Sequence, residues 1–288
     1  MNRRLQIPMI VIVALISVVA MLSHWVQPAL TIPIPSQIPI AESKFQPDFQ
    51  RHFKALDVEG SIVIANLKND RIYQHNPQRN QTAFLPASTF KILNSLIALE
   101  TGVISDEMAI LTWDGIQRQV PEWNRDLNLK EAFKRSAVWF YQILARRVGH
   151  TQMQTWVTKA AYGNQAIGGK EAIDQFWLEG ELRITPQAQV EFLQRLYREG
   201  LPFSKRSFSI VKDIMISEKT PEYTLRGKTG WVGFGSKSRS QIGWYVGYLE
   251  RGKEVYFFAT NIDIRNDRKD ATARVEITRR CLKDLALL

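Results

Sequence analysis

The segment Pro86-Ala87-Ser88-Thr89-Phe90-Lys91 opens an apolar run that ends at Gly102. Apolar residues recur through the run at helical spacing, which predicts a buried central helix. Ser88 and Lys91 are three residues apart and therefore share one helical face. A lysine there can take the proton of a serine hydroxyl, which is otherwise a weak nucleophile. The pair predicts acyl transfer without a histidine, although a helix N-cap serine and a solvated lysine would give the same spacing.

The composition narrows the class of protein. A chain of 288 residues with 45% hydrophobic and 23% charged residues is typical of a globular protein with one large or two modest domains. The net charge of +10 fits an anionic substrate or surface, and because no basic run is interleaved with aromatic residues we expect no nucleic-acid partner. A single cysteine excludes an intramolecular disulfide, and the four histidines lack metal-ligand spacing, so we expect no metal.

The N-terminal residues 1–27 form a targeting segment. Arg3 and Arg4 precede an almost uninterrupted apolar stretch from Ile7 to Val26, which is the order found in a secretory signal peptide or an uncleaved signal anchor. Residues 28–44 are rich in proline and predict an extended linker. We therefore expect an exported protein that contacts a membrane only through residues 7–26, with its catalytic domain in residues 45–288.

Strand patterns lie near both ends of this domain. They cover residues 61–66 and 71–76 at one end, and 241–250 and 254–262 at the other. The middle region is mainly helical, with helices expected over 129–148 and 185–199, and a last helix is expected after Asp270 as its cap. This order predicts an α+β fold in which an antiparallel sheet from both chain ends is flanked by helices and carries an inserted, mainly helical region.

Four motifs resemble those of the penicillin-recognising serine enzymes, and specifically the class D β-lactamases (oxacillinases). They are Pro86-Ala87-Ser88-Thr89-Phe90-Lys91, Ser136-Ala137-Val138, Tyr162-Gly163-Asn164 and Lys228-Thr229-Gly230-Trp231. The segments around Trp113, Pro121 and Trp177 also resemble that family, and the similarity extends from about Phe45 to the end. Class A β-lactamases share the first and fourth motifs but carry Ser-Asp-Asn at the second.

The resemblance implies a β-lactamase/transpeptidase-like fold and a β-lactam hydrolase. It implies that Ser88 is the nucleophile and that Lys91, carboxylated on its side chain by carbon dioxide, is the general base, with no other cofactor. Carboxylation needs a neutral amine, and apolar surroundings lower the pKa of a lysine. Val138, Leu178 and Phe90 could supply those surroundings, while the indole N–H of Trp177 could donate to the carbamate.

The resemblance also implies roles for other side chains. Ser136 would relay a proton to the leaving nitrogen, and Lys228 would act electrostatically on Ser136 and the substrate. The backbone N–H groups of Ser88 and Trp231 would form the oxyanion hole. The remaining contacts are expected from Thr229 with the substrate carboxylate, Gly230 through close approach of the strand, Val138, Leu178 and Trp113 at the border of the substrate, and Tyr162, Gly163 and Asn164 as a structural wall.

Arg274 matches the arginine that grips the substrate carboxylate in this family, and a guanidinium can bind a carboxylate with two hydrogen bonds. Arg265 and Arg268 are the nearby alternatives. The stretch between Trp231 and Gln241 is longer and more basic than is usual for the family and bears on the range of substrates.

Two other functions share the first chemical step. A β-lactam sensor domain is acylated but releases the product too slowly to turn over, whereas a cell-wall D,D-peptidase is merely inhibited. Only the fate of the acyl-enzyme separates these from a hydrolase. The sequence is compatible with a monomer or a homodimer.

Overall fold

The computed structural model describes residues 47–234 and 241–288, without the side chains of Asp267 and Arg268. The targeting segment and the linker predicted at residues 1–44 lie outside this part, as do residues 235–240 of the basic stretch. Among the described residues, no helix is both long and apolar enough to cross a membrane.

In the described residues, an antiparallel sheet joins strands from both ends of the chain. Its strands are β1 (Gly60–Asn66), β2 (Ile72–His75), β5 (Ile216–Lys219), β6 (Thr224–Val232), β7 (Gln241–Arg251) and β8 (Glu254–Ile264). They lie in the order β2-β1-β8-β7-β6-β5, so the first strand pairs with the last. A small separate ladder joins β3 (Ile110–Leu111) to β4 (Leu127–Asn128). The predicted α+β fold is confirmed, although the sequence did not predict the short strands β3, β4 and β5.

The helices cover both faces of the sheet. They are α1 (Gln50–Leu56), α2 (Pro77–Asn80), α3 (Lys91–Glu100), α4 (Leu129–Arg135), α5 (Val138–Val148), α6 (His150–Lys159), α7 (Pro186–Tyr197), α8 (Lys205–Ile214) and α9 (Asp267–Asp284). Helices α1 and α9 pack together on one face, and α7 packs on the other, beyond which lie α3, α5 and α8.

Alternation along β1 assigns its side chains to these two faces. Val63 and Ala65 join the core beneath the inserted helices, whereas Ile62 and Ile64 join the core beneath α1 and α9. All four are buried, so β1 is covered on both sides. The sheet therefore separates two apolar cores, and the helix α3 that follows the Ser88 turn lies wholly within one of them.

Two predicted helix boundaries are wrong. The helix expected over 129–148 is broken at Ser136, which has a φ of 58°. The N–H groups of Ser136 and Ala137 close the preceding helix on the carbonyls of Phe133 and Ala132, which is the hydrogen-bond pattern that glycine usually completes. A serine in this left-handed turn is unusual, and it places the Ser136 side chain between α4 and α5.

The last helix begins before Asp270. Its N-cap is Asn266, whose side chain accepts from the N–H of Lys269. Asp270 lies inside the first turn, and its carboxylate accepts from the N–H groups of Arg265 and Asn266. Both residues thus satisfy N–H groups at one helix start, so the prediction of Asp270 as the cap placed the beginning of this helix too late.

Candidate active site

Residues Ala87–Phe90 form a tight 3₁₀ turn at the start of α3. Ala87 has a φ of 47°, a strained conformation for alanine, and its N–H donates to the carbonyl of Trp177 over 2.9 Å. The hydroxyl of Thr89 donates to the carbonyl of Pro86 over 2.8 Å. These contacts hold the turn so that Ser88 reaches the wall of a cavity while remaining only 8% exposed.

Lys91 is fully buried directly behind Ser88. Its Nζ donates to Ser88 Oγ over 2.8 Å and lies 5.2 Å from the centre of the Tyr141 ring. Burial holds the pKa of Lys91 well below that of an exposed lysine, and the charge of Lys228 lowers this pKa further. The amine is therefore inclined to be neutral, which is the state that can accept a proton or react with carbon dioxide.

Ser136 and Lys228 form a second polar pair. Lys228 Nζ donates to Ser136 Oγ and to the carbonyl of Thr229, each over 3.0 Å. Burial, followed by the charge of Arg274, lowers the pKa of Lys228 to about 7. A group with this pKa can hold or release a proton near neutral pH, and its bond to Ser136 provides a short path to the cavity.

The cavity in front of Ser88 has a volume of about 630 Å³. The described lining residues come from the motifs that contain Ser88, Ser136 and Lys228, from neighbouring loops and from α9. They are Ser88, Arg118, Val120, Trp123, Arg135, Ser136, Val138, Trp139, Gln142, Leu178, Glu179, Thr229, Gly230, Trp231, Gly233, Phe234 and Arg274. The size and the mixture of apolar walls with a few polar groups are typical of a site for a small molecule.

Strand β6 forms one wall through Thr229, Gly230 and Trp231. A side chain at Gly230 would lie 3.1 Å from both the Pro86 carbonyl and the Thr89 methyl group. The absence of a side chain at Gly230 therefore lets the strand approach the turn that holds Ser88. That it also lets a substrate approach the strand stays a prediction.

Arg274 of α9 reaches the same cavity. Its guanidinium lies 5.5 Å from the centre of the Trp231 ring. Its Nε and one terminal nitrogen are buried, and within residues 47–234 and 241–288 they have no hydrogen-bond partner. Burial lowers the pKa of Arg274 to about 10, so the group still carries a positive charge at neutral pH. Arg265 instead contacts Asp57 and does not line the cavity, while the side chain of Arg268 lies outside the described atoms.

Trp177 is completely buried against the Ser88 turn. Its ring stacks on Phe90 at 5.5 Å, and its Nε1 has no hydrogen-bond partner among the residues that the structure describes. Val138 and Leu178 line the cavity, and their expected place beside Lys91 stays a prediction. Tyr141 was missed as the aromatic neighbour of Lys91, although it lies three residues after Val138 and therefore on the same face of α5.

The Tyr162-Gly163-Asn164 segment lies behind the cavity rather than on its lining. Tyr162 is buried and packs edge-to-face on Phe90. Gly163 has a φ of +56°, and a side chain there would lie 2.1 Å from the carbonyl of Arg183. The Asn164 side chain accepts from the N–H of Arg183 over 2.9 Å. These contacts are structural, but none of the three residues is among the described residues that line the cavity, so the wall expected from them stays a prediction.

Trp113 does not line the cavity, so the structure gives no support for its predicted substrate contact. Its indole donates to the carbonyl of Ile116, and its N–H donates to Asp126, so it closes the loop that contains it. Trp123 and Trp139 line the cavity instead, joined by a bond of 2.8 Å from the Trp139 indole to the Trp123 carbonyl. The sequence contained no signal that ranked these tryptophans, because their position depends on the fold of the loop.

The site combines a buried lysine hydrogen-bonded to a serine, a second serine–lysine pair and an adjacent arginine. This combination defines a penicillin-recognising serine enzyme. Residues 60–283 match the family of the penicillin-binding protein transpeptidase domain. The chain is 45% identical to the β-lactamase OXA-5 of Pseudomonas aeruginosa over 221 residues, which cover 77% of this chain and 82% of that relative. It is 41% identical to the probable β-lactamase YbxI of Bacillus subtilis, with coverage of 72% and 75%.

Solved structures give the same result. A class D β-lactamase from Nostoc is 58% identical and has a TM-score of 0.81, over 84% of this chain and 99% of that one. The class D β-lactamase FUS-1 from Fusobacterium nucleatum is 37% identical with a TM-score of 0.80, over 85% and 100% of the two chains. The chain belongs to the class D β-lactamases.

Proposed function

We propose that the protein is an exported serine hydrolase that opens β-lactam rings through an acyl-enzyme on Ser88. The contact of 2.8 Å between Ser88 Oγ and the buried Lys91 Nζ carries this proposal. It unites a nucleophile with a group whose pKa is lowered enough to serve it. Family membership supports the same chemistry, since the related proteins are named β-lactamases.

The surroundings of Lys91 fit carboxylation of its side chain. The lowered pKa favours the neutral amine that reacts with carbon dioxide. The buried N–H of Trp177 has no partner in the described part of the chain and can donate to a carbamate. When present, the carboxylated side chain supplies a general base beside Ser88. Trp177 would orient it, and Val138 would help to exclude water.

Acylation forms a bond between Ser88 Oγ and the lactam carbonyl carbon, and the carbon–nitrogen bond of the ring breaks. Beyond Gly227 the described residues place no strand on the outer edge of β6, so backbone N–H groups there can face the cavity. We assign the oxyanion hole to the N–H groups of Ser88 and Trp231, which stabilise the negative carbonyl oxygen. Water then hydrolyses the ester and restores the serine hydroxyl.

The departing ring nitrogen needs a proton. Ser136 lines the cavity and accepts from Lys228 over 3.0 Å, so this pair can pass a proton to the nitrogen. The pKa of Lys228 near 7 suits a group that gives up a proton and regains it within one turnover.

The substrate carboxylate binds Arg274 and Thr229 in this proposal. Arg274 offers two buried nitrogens without partners, and such a guanidinium gains most from an anion that can accept both. Thr229 lies beside it on the wall formed by β6. Leu178 and Val138 contact the apolar part of the substrate.

Export relies on the N-terminal segment, with residues 28–44 as a linker outside the membrane. Release of the acyl group distinguishes the hydrolase from a sensor or a D,D-peptidase. The test is turnover of a chromogenic cephalosporin with and without bicarbonate. Many turnovers per enzyme, stimulated by bicarbonate, would support the proposal. A single stoichiometric burst that bicarbonate does not change would overturn it.

A further inference from the structure

Three arginines and one glutamate supply the charged side chains among the described lining residues of the cavity. The arginines are Arg118, Arg135 and Arg274, and the acid is Glu179. The lining is therefore more positive than one substrate carboxylate requires. Whether the excess recognises anything depends on which of the three cations already has a partner.

Two of the three arginines already have an anionic partner, either in the protein or in the proposed substrate complex. Arg118 forms hydrogen bonds of 2.8 and 2.6 Å to the two oxygens of Asp114, which balances its charge, and it lies over the ring of Trp139. Arg274 is the buried group to which we assign the ring carboxylate. Neither is free for a second anion on the same substrate.

Arg135 remains as an exposed residue that lines the cavity. In the described residues no carboxylate pairs with it. Its main chain is fixed, because its carbonyl accepts from the indole of Trp123 over 2.9 Å. It directly precedes Ser136, whose left-handed turn ends α4 at this point. The side chain therefore starts from a fixed main-chain position directly beside Ser136.

We propose that Arg135 is a specificity-determining residue that favours β-lactams with a second anionic group, a carboxylate or sulfonate, on the side chain. This inference rests on the proposed function, since it concerns substrates of the same site. The ring carboxylate occupies Arg274 while the second anion contacts Arg135. Such an exposed ion pair contributes about two- to fivefold in affinity, and dissolved salt weakens it.

Two penicillins that differ by one carboxylate test this. The substrates are benzylpenicillin and its analogue with a carboxylate on the side-chain carbon next to the amide. The quantity measured is the ratio of kcat/KM for the analogue to kcat/KM for benzylpenicillin. In Arg135→Gln we expect this ratio to fall by about threefold at low ionic strength, mainly through KM. In the wild type we expect the ratio to fall as salt is added.

Lys134→Gln is the matched control, because it removes the same charge from an exposed neighbour that does not line the cavity. We expect its ratio to equal that of the wild type. An unchanged ratio in Arg135→Gln, or an equal fall in Lys134→Gln, would overturn the inference. If the wild type does not turn over benzylpenicillin, the proposed function fails instead, and the ratio of the two acylation rate constants then decides the role of Arg135.

Discussion

The two faces of the sheet differ in how their buried polar groups are satisfied. Beneath α1 and α9 the core is apolar, and its hydroxyls are paired, as in the contact of 2.6 Å between Thr260 and Thr278. On the other face lie the buried Lys91 and the unpartnered Nε1 of Trp177. Unsatisfied buried groups reduce stability. The comparison indicates that the core beneath α1 and α9 stabilises the fold, whereas the other face and the cavity edge at Arg274 hold buried groups in costly states that favour chemistry.

Replacing Lys91 should have the largest effect of these substitutions, and we expect that effect on kcat rather than as a loss of stability. We expect Lys91→Ala to lower kcat by about a thousandfold or more, because it removes the group that serves Ser88. Lys91→Met keeps more of the side-chain volume and should be equally inactive, yet at least as stable as the wild type, since a buried amine is lost. Normal turnover by Lys91→Ala, measured with a chromogenic cephalosporin, would refute the mechanism.

A core substitution on the opposite face of the sheet should lower stability and leave activity nearly unchanged. Leu282 is fully buried on α9, eight residues beyond Arg274. We expect Leu282→Ala to lower the free energy of unfolding by about 3 kcal/mol, because it leaves a cavity. Urea unfolding measures this loss, and kcat/KM of the folded protein should stay within about twofold. A tenfold loss of kcat/KM would show that the two faces are not independent.

Arg274 lies where α9 reaches the cavity, and it should affect binding more than chemistry. We expect Arg274→Ala to raise KM by about tenfold or more with little change in kcat, because the carboxylate contact exists before and during the reaction. Steady-state kinetics of a penicillin measure both constants. Arg265→Ala is the control, since Arg265 contacts Asp57 instead. If the control raises KM and Arg274→Ala does not, our assignment of the carboxylate site is wrong.

Lys228 should make the stability of the active-site face depend on pH. Its pKa is lowered to about 7, so between about pH 7 and pH 10 the unfolded chain binds more protons than the folded one. Stability should therefore rise with pH, by about 1.4 kcal/mol per pH unit for one group. Lys228→Met lacks this titrating group. The amount by which its free energy of unfolding exceeds that of the wild type should therefore shrink from about pH 7 to about pH 8. Thermal unfolding at both pH values checks this, and the exposed Lys134→Met should show no such change.

The sequence predicted the parts of the site that depend on local spacing. Ser88 and Lys91 lie one turn apart because a helix places them so, whereas the strand with Lys228 was expected only from the resemblance to the family. The sequence did not predict the break at Ser136, because tertiary contacts impose a conformation that serine rarely adopts. It assigned Trp113 rather than Trp123 to the cavity, because the positions of these tryptophans depend on the fold of the loop that contains them.

The central claim is that burial keeps the amine of Lys91 neutral so that it can react with carbon dioxide, and that the resulting carbamate is the form present in the active enzyme. Nuclear magnetic resonance of the protein with ¹³C-labelled bicarbonate tests it most directly. The account predicts one carbamate resonance in the wild type and none in Lys91→Ala. A wild-type spectrum without that resonance, in protein that still turns over a β-lactam, would contradict it.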